Sequence, residues 1–248
     1  MAFFEELNEL RKFLLPCLGV FLAFSALCFV FGITQIELFG ESFYFLVPTF
    51  KSFSVQFLEI IKENLLPEGV QLIATNPLNA FFAQITVSLF LGLVFSLPFI
   101  LYKFIKYLAP ALYGKERKIV FKVLAPSFFL FGAGCLFAYF VLIPLTFDIL
   151  YSYAERMGAA LFFTINEFVG MVLAFIVVTG IIFLLPVFMV LLSRLGIIRS
   201  SFWQKNWRYA ILASLIFSAI ITPDGTGITM LILSLPMVGL YFLGCLLS

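Results

Sequence analysis

An all-α polytopic membrane protein is the fold class this sequence predicts, and three features predict it. Of its 248 residues, 63% are hydrophobic and only 11% charged, against about 25% charged in ordinary soluble domains. The apolar residues collect into six runs, most of them near the ~20 residues that cross a ~30 Å hydrocarbon core. Lysine and arginine concentrate in every second connection, the signature of alternating sides of a bilayer. A mean hydropathy of +1.16 and charge-poor runs leave no room for a separate soluble domain.

The first run is Phe13–Ile33, preceded by the amphipathic start AFFEELNELRKF. Three glutamates before Arg11 and Lys12, with no small-residue cleavage site after the run, argue against a removable signal peptide. Residues 34–75 form a polar-interrupted external loop in which Phe53, Phe57, Ile60, Ile61 and Leu65 recur at helical spacing before Pro67. A short amphipathic helix is predicted there. Asn76-Pro77 supplies a helix cap and a first-turn proline for a second span at about Ala80–Tyr102.

A basic, aromatic loop over Lys103–Lys122 leads to a third span at about Val123–Phe147, with Pro126 and Pro144 near its ends. Asp148–Thr164 reads as a polar connection, and the fourth span covers about Thr164–Leu192. The fifth run, Tyr209–Ile221, is apolar for ~20 Å of helix, too short to cross without thinning the bilayer or admitting water. The turn ITPDGTG returns the chain into a charge-free sixth span, Ile228–Leu247. No internal repeat is visible, which weighs against an inverted-repeat transporter.

Orientation follows from the cations. The start holds Arg11 and Lys12; the second connection holds Lys103, Lys106, Lys115, Arg117, Lys118 and Lys122; the fourth holds Arg194, Arg199, Lys205 and Arg208. The alternate faces hold Lys51, Lys62 and Arg156. Both termini are therefore expected in the cytoplasm.

Glu167 is the one ionisable side chain of the fourth span. At the bilayer centre a carboxylate costs roughly 2.5–3.5 kcal/mol and faces protein or water, marking an intramembrane functional acid. The plainer alternative is that it lies within two turns of the outer end and reaches interfacial water. On the basic face the acids are Glu5, Glu6, Glu9 and Glu116, with Tyr107 and Tyr113 near the last. Two carboxylates flanked by aromatic rings suit guanidinium groups, by bidentate hydrogen bonds and stacking. Equally, Glu9 could pair with Arg11 or Lys12, and Glu116 with Arg117 or Lys118.

The segments LNELRKFLL, YLAPALYGKER, FAYFVLIPLTF, the span-four acid, and Thr222-Pro223-Asp224 followed by SLPM together resemble the TatC family. These are the multispanning receptor subunits of the twin-arginine protein translocase. The resemblance runs from about Leu7 to the end. It implies a glove-like, concave six-helix bundle with short last two helices, in the prokaryotic cytoplasmic membrane. It also implies binding of twin-arginine signal peptides on the cytoplasmic face and work with single-span partners of the TatA and TatB type. Folded cargo proteins would then be exported with the proton-motive force.

By the same resemblance the signal-peptide site maps to Glu9, Arg11, Tyr107, Pro110, Tyr113 and Glu116. Glu167 takes the place of the intramembrane acid, Pro48 of an outer-loop proline, and Asp224 of an acid in the last outer turn. Partner docking falls on spans five and six. Here the family's span-six glutamine is absent and Met230 stands nearest, so Thr222, Thr226 and Thr229 are the candidates for its polarity. Tyr107 stands where phenylalanine is usual, which preserves stacking.

Enzymatic readings fare worse. Histidine is absent, so Ser–His proteolysis has no base. Asp224-Gly225-Thr226-Gly227 has no second copy to share a proton, as paired-carboxylate proteolysis needs. The cysteines Cys17, Cys28, Cys135 and Cys245 have no metal-ligand spacing, and no phosphate-binding glycine loop is present. No cofactor is expected. A proton-coupled small-molecule transporter would fit Glu167 alone, but lacks converging polar groups at midplane. Thiol labelling of single-cysteine variants should find positions 115 and 199 on one side of the membrane, and 63 and 224 on the other. Labelling of 63 and 115 from the same side would rule out six crossings.

Overall fold

A computed structural model describes residues 2–38, 41–66, 71–108, 117–158, 162–194, 196–222 and 227–248. For 2–7, 9, 34–38, 41–46, 71, 105, 107–108 and 117–124 the backbone alone is described. The chain is mostly helical and divides into two compact units, Met1–Leu108 with Phe162–Leu173, and Ala109–Leu161 with Ala174–Ser248.

In the first unit α1 (Ala2–Val30) is one unbroken helix that carries the amphipathic start directly into the first span. It packs along α3 (Pro77–Leu108), the second span. Cys17, Ser25 and Cys28 are its buried stripe, while Leu14, Leu18 and Leu22 stay exposed. The two backbones touch where Ser25 lies over Gly92: a Cβ on that glycine would overlap the Ser25 hydroxyl and meet its Cα at 2.9 Å. Small residues at the crossing are what a lipid-embedded helix pair needs, because packing rather than hydrophobic expulsion holds it. Ring pairs Phe13–Phe104 (6.2 Å), Phe24–Phe95 (6.2 Å) and Phe29–Phe81 (6.0 Å) show that the helices run antiparallel.

The predicted cap and proline open α3: the Leu78 N–H donates to Asn76 Oδ1 at 3.0 Å, and Pro77 takes the first helical position. The excursion between α1 and α3 is more ordered than the sequence pattern alone implied. β1 (Phe31–Leu38) and β2 (Glu41–Pro48) form an antiparallel hairpin with Phe31 opposite Pro48. It is a small β element in a mostly helical fold. The first span also ends at Val30, not Ile33, because Phe31–Ile33 joins the hairpin.

The predicted amphipathic helix is α2 (Phe53–Leu65). Ile61 and Leu65 are buried, Phe57 stacks on Phe90 of α3 at 5.7 Å, and Ile60 stays exposed. Polar groups fasten its N-terminal end. Gln84 of α3 donates to Ser52 Oγ at 3.1 Å, and Gln56 donates to the carbonyls of Ile33 (2.9 Å) and Lys51 (3.1 Å). A three-residue strand β3 (Gln71–Ile73) pairs in parallel with β4 (Phe162–Thr164), which leads straight into α6 (Ile165–Phe183).

In the second unit α4 (Arg117–Phe137), a π-helical turn (Ala138–Leu142) and α5 (Ile143–Arg156) form one path. The π turn lies immediately before Pro144, whose missing N–H and bulky ring it accommodates. The helix thus continues past Phe147, where the third span was expected to end. Residues 148–156, read as polar connection, are its amphipathic last turns, with Phe147 and Tyr151 buried. Helix α6 ends at Phe183, and α7 (Leu185–Arg194) resumes the path with Pro186 in its first turn.

A short α8 (Ser200–Lys205) precedes α9 (Trp207–Ile221) and α10 (Ile228–Leu247). Among the described residues, five helical segments are long and apolar enough to cross a membrane: Leu10–Val30, Pro77–Phe104, Ala125–Arg156, Ile165–Arg194 and Ile228–Leu247. Helix α9 is shorter, fifteen residues or ~22 Å. Helix α10, with twenty residues or ~30 Å, is the shortest of the five.

Gly134 faces α6 closely: a Cβ there would lie 2.8 Å from the Thr179 carbonyl oxygen and 2.9 Å from Gly180 Cα. Gly132, one turn-face away, has open space. Gly134→Ala should therefore lower the thermal midpoint of the detergent-purified protein, by the ~1–3 kcal/mol typical of overpacking. Gly132→Ala should leave it unchanged or raise it through helix propensity, by up to ~1 kcal/mol. Equal midpoints for the two variants would show that the α4–α6 approach is looser than described.

Candidate functional site

The candidate peptide site draws on α1 and α3, and their antiparallel register decides which residues can meet. With Phe13 against Phe104, the first turns of α1 and the last turns of α3 share one end of the unit. That end holds the backbone positions of Glu9 and Tyr107 and the exposed side chains of Arg11, Lys12 and Lys106. Lys106 in the last turn of α3 also suits the negative end of that helix. Lys103 lies over the Phe99 ring at 5.6 Å, its charge held against an aromatic face. The fold thus brings Glu9, Arg11 and Tyr107, distant in sequence, to one helix end. Pro110, Tyr113 and Glu116 lie outside the described residues, in the segment that leaves that end of α3.

Just inside this end the two helices leave an apolar groove of about 400 Å³ lined by Leu14, Leu18, Phe21, Leu93 and Ile100, with Cys17 at its base. Composition alone did not show it, because the groove depends on the α1–α3 register.

Glu167 stands at a helix start. It is exposed in the first turn of α6, and its carboxylate accepts a hydrogen bond from the Thr164 hydroxyl at 2.7 Å. The Glu167 N–H in turn donates to Thr164 Oγ1 at 3.3 Å. The Thr164 hydroxyl thus satisfies one helix-end N–H, and a carboxylate there is favoured by the helix dipole. The segment Ile165–Arg194 has thirty residues, or ~45 Å of helix, well over a ~30 Å core. Its first turn can sit at headgroup level. Glu167 lies in the first turn of α6, at one end of this long apolar segment. The Thr-Ile-Asn-Glu spacing at 164–167 carried that signal in the sequence.

Pro48 ends β2 and is exposed. Asp224 and Thr226 lie outside the described residues. Thr222 and Thr229 are both buried in the second unit, and the Thr222 hydroxyl donates to the Ser218 carbonyl at 2.8 Å. With Ser214 and Ser218 they give α9 and α10 a small, polar seam, where Ser218 Oγ also meets Met237 Sδ at 3.5 Å.

Sequence reasoning missed one polar lock. Tyr241 of α10 donates its hydroxyl to the Trp203 carbonyl at 2.6 Å, and the Trp203 indole donates to Ser193 Oγ at 3.0 Å. Tryptophan and tyrosine at a helix end were the available signal.

Comparison with known proteins agrees with this arrangement of helices. Residues 5–236 match the family profile described as Sec-independent protein translocase protein (TatC). The chain is 38% identical over 245 residues to the Sec-independent protein translocase protein TatC of Cenarchaeum symbiosum, covering 98% of this chain and 93% of that one. It is 32% identical to the Synechocystis protein of the same name, covering 99% and 87%. A chloroplast relative from Pisum sativum is also 32% identical, over 78% of this chain and 54% of its own length. Among solved structures, a crystal structure of the twin-arginine translocase receptor TatC superposes with a TM-score of 0.76 at 28% identity, covering 98% of this chain and 97% of that one. The same receptor in the detergent DDM gives 0.78. The match spans the described helices end to end, and this chain belongs to the TatC family of protein translocase subunits.

Proposed function

We propose that this chain is the receptor subunit of a twin-arginine translocase, binding twin-arginine signal peptides on the cytoplasmic face of the membrane. The observation that carries this reading is the antiparallel α1–α3 pair, which gathers Glu9, Arg11 and Tyr107 at the end from which residues 109–116 depart. In the proposed site the carboxylates of Glu9 and Glu116 take the two guanidinium groups, each by a planar pair of charge-assisted hydrogen bonds. Tyr107 and Tyr113 supply stacking faces, Pro110 stiffens the loop, and Arg11 orients Glu9 while excluding other cations. The apolar groove one turn inside accepts the hydrophobic part of a peptide lying along α1.

The rest of the proposal concerns assembly. Six crossings, with α9 as the short fifth, put both termini in the cytoplasm, as the charge distribution requires. Single-span partners of the TatA and TatB type join the receptor to export folded proteins with the proton-motive force. The lipid-facing side of α9 offers them Leu212, Ile216, Phe217 and Ile220, all exposed. Pro48 and Asp224 mark the outer loops. Glu167 enters as the cap of α6 at the outer interface, so no proton relay is built on it. That position also removes the residue on which a proton-coupled small-molecule transporter would depend.

Binding of a fluorescent twin-arginine peptide to the detergent-purified protein, with no gradient present, tests the reading. Glu116→Gln keeps the shape and removes the charge, and should weaken binding by roughly 1.5–3 kcal/mol, about 10- to 150-fold. A peptide with both arginines replaced by lysine should lose most of its affinity, since an ammonium cannot form the planar fork. Equal binding of the lysine and arginine peptides to the unaltered protein would contradict carboxylate–guanidinium recognition.

A further inference from the structure

The connection between α7 and α9 carries a built, cationic pocket that peptide recognition does not use. Its framework is fixed from behind. Gly196, at φ +70°, turns the chain after α7, and the Ile197 N–H closes on the Leu192 carbonyl at 3.1 Å. Trp203 is then held on both sides, by its indole bond to Ser193 and by the Tyr241 hydroxyl on its carbonyl. Its ring meets Tyr241 edge-on at 6.5 Å. What this leaves outside is a pocket of about 480 Å³ lined by Ile197, Ile198, Arg199, Phe202, Lys205 and Asn206.

Two properties of the pocket define its occupant. Residues 193–208 contain Arg194, Arg199, Lys205 and Arg208 and no acidic residue. Among the described residues none of these four cations forms an ion pair. Arg208 instead lies over the Trp207 ring at 5.5 Å. Around the cations stand exposed apolar side chains, Ile197 (59%) and Phe202 (51%), which water does not favour. A second cleft of about 290 Å³, lined by Gln204, Trp207, Phe242 and Cys245, opens beside the α8–α9 junction and is almost wholly apolar. Positive charge without an ion pair among the described residues, next to apolar surface at the ends of membrane-crossing helices, matches an anionic phospholipid: a phosphodiester above and acyl chain below.

We infer that this pocket is a binding site for one anionic phospholipid headgroup of the adjoining leaflet, with Arg199 and Lys205 holding the phosphodiester and Trp207 and Phe242 flanking an acyl chain. An acidic peptide would satisfy the charges but leave Ile197 and Phe202 without an apolar partner, so the lipid is favoured. The site would pin the α7–α9 connection to the membrane surface and so fix the start of the short helix α9. The inference rests on the membrane-spanning reading and not on signal-peptide recognition.

The chain's only two tryptophans, Trp203 and Trp207, are both at this site, so intrinsic fluorescence reports on it directly. The full chain is reconstituted in phosphatidylcholine with increasing fractions of brominated phosphatidylglycerol, and separately with brominated phosphatidylcholine. Expected is quenching that favours the anionic lipid severalfold, falling about fivefold for each cation removed in Arg199→Gln and Lys205→Gln. Lys51→Gln with Lys62→Gln, remote in the chain, should keep the preference, and signal-peptide binding should be the same in every variant. Equal quenching by the two brominated lipids, or a preference that survives the double Arg199→Gln, Lys205→Gln change, overturns the site. Relief of quenching by excess inorganic phosphate or by an acidic peptide overturns the lipid as its occupant. Bromine quenching does not depend on which way the protein is inserted. An inverted topology would therefore show in thiol labelling alone and leave this result unaffected.

Discussion

The close approach of α1 and α3 at Ser25 and Gly92 is the contact on which the first unit depends. Without it the hairpin, α2 and the amphipathic start would have no common frame. Gly92 lets the two backbones touch, and the phenylalanine pairs above and below fix their register. That register sets one end of the pair as the meeting place of Glu9, Arg11 and Tyr107. The other end becomes the anchor for α2, through Gln84 and Phe90. A side chain at Gly92 would separate both ends at once, since the helices have no hydrophobic expulsion to force them together in lipid.

The membrane also explains how the chain carries so many buried hydroxyls. In hydrocarbon an unsatisfied polar group costs several kcal/mol, of the order of a few, and no water is present to relieve it. Here the helix itself supplies the partner. Ser25 bonds to the Phe21 carbonyl, Ser88 to Gln84, Thr146 to Leu142, Ser214 to Ala210 and Thr222 to Ser218, each one turn back. A hydroxyl satisfied in this way is small and apolar on its remaining faces, so it can line a close helix contact. On α9 both Ser214 and Thr222 are of this kind. Charge follows the opposite rule. Lys106 and Arg194 sit in the last turns of their helices and Glu167 in the first turn of α6, where dipoles and headgroups both favour them.

Much of the fold was legible because hydrocarbon imposes a single requirement, long apolar helices, and hydropathy measures it directly. The Asn76-Pro77 start of α3 and the spacing of Phe53, Phe57, Ile61 and Leu65 were equally readable, since cap chemistry and helical period are local. What escaped was non-local or ambiguous. The hairpin depends on pairing Phe31–Leu38 with Glu41–Pro48, which no single window reveals. The extension of α5 to Arg156 was hidden because its polar residues, Asp148, Ser152 and Glu155, fall on the exposed side of a helix that buries Phe147 and Tyr151. For Glu167 the sequence left two readings open, a buried acid and one near the outer end of its span, because an apolar run gives no mark of where the membrane begins; the Thr164–Glu167 pair at the start of α6 favours the second. Of the candidate site, the residue types and their common face were readable, whereas the backbone proximity of Glu9 and Tyr107 depends on the α1–α3 register.

The central claim is that register, and spin-label distances in the reconstituted protein test it most directly. Asn8 and Lys106 are both exposed and accept labels without disturbing the helix contact. Neighbouring helix axes lie about 8–10 Å apart, so the account predicts a short Asn8–Lys106 distance, below ~25 Å once label arms are included. From Asn8 to Leu78, at the other end of α3, the distance should exceed ~40 Å, the rise of the helix between positions 78 and 106. A label at position 8 closer to 78 than to 106 would contradict the antiparallel pair, and with it the gathering of the candidate site.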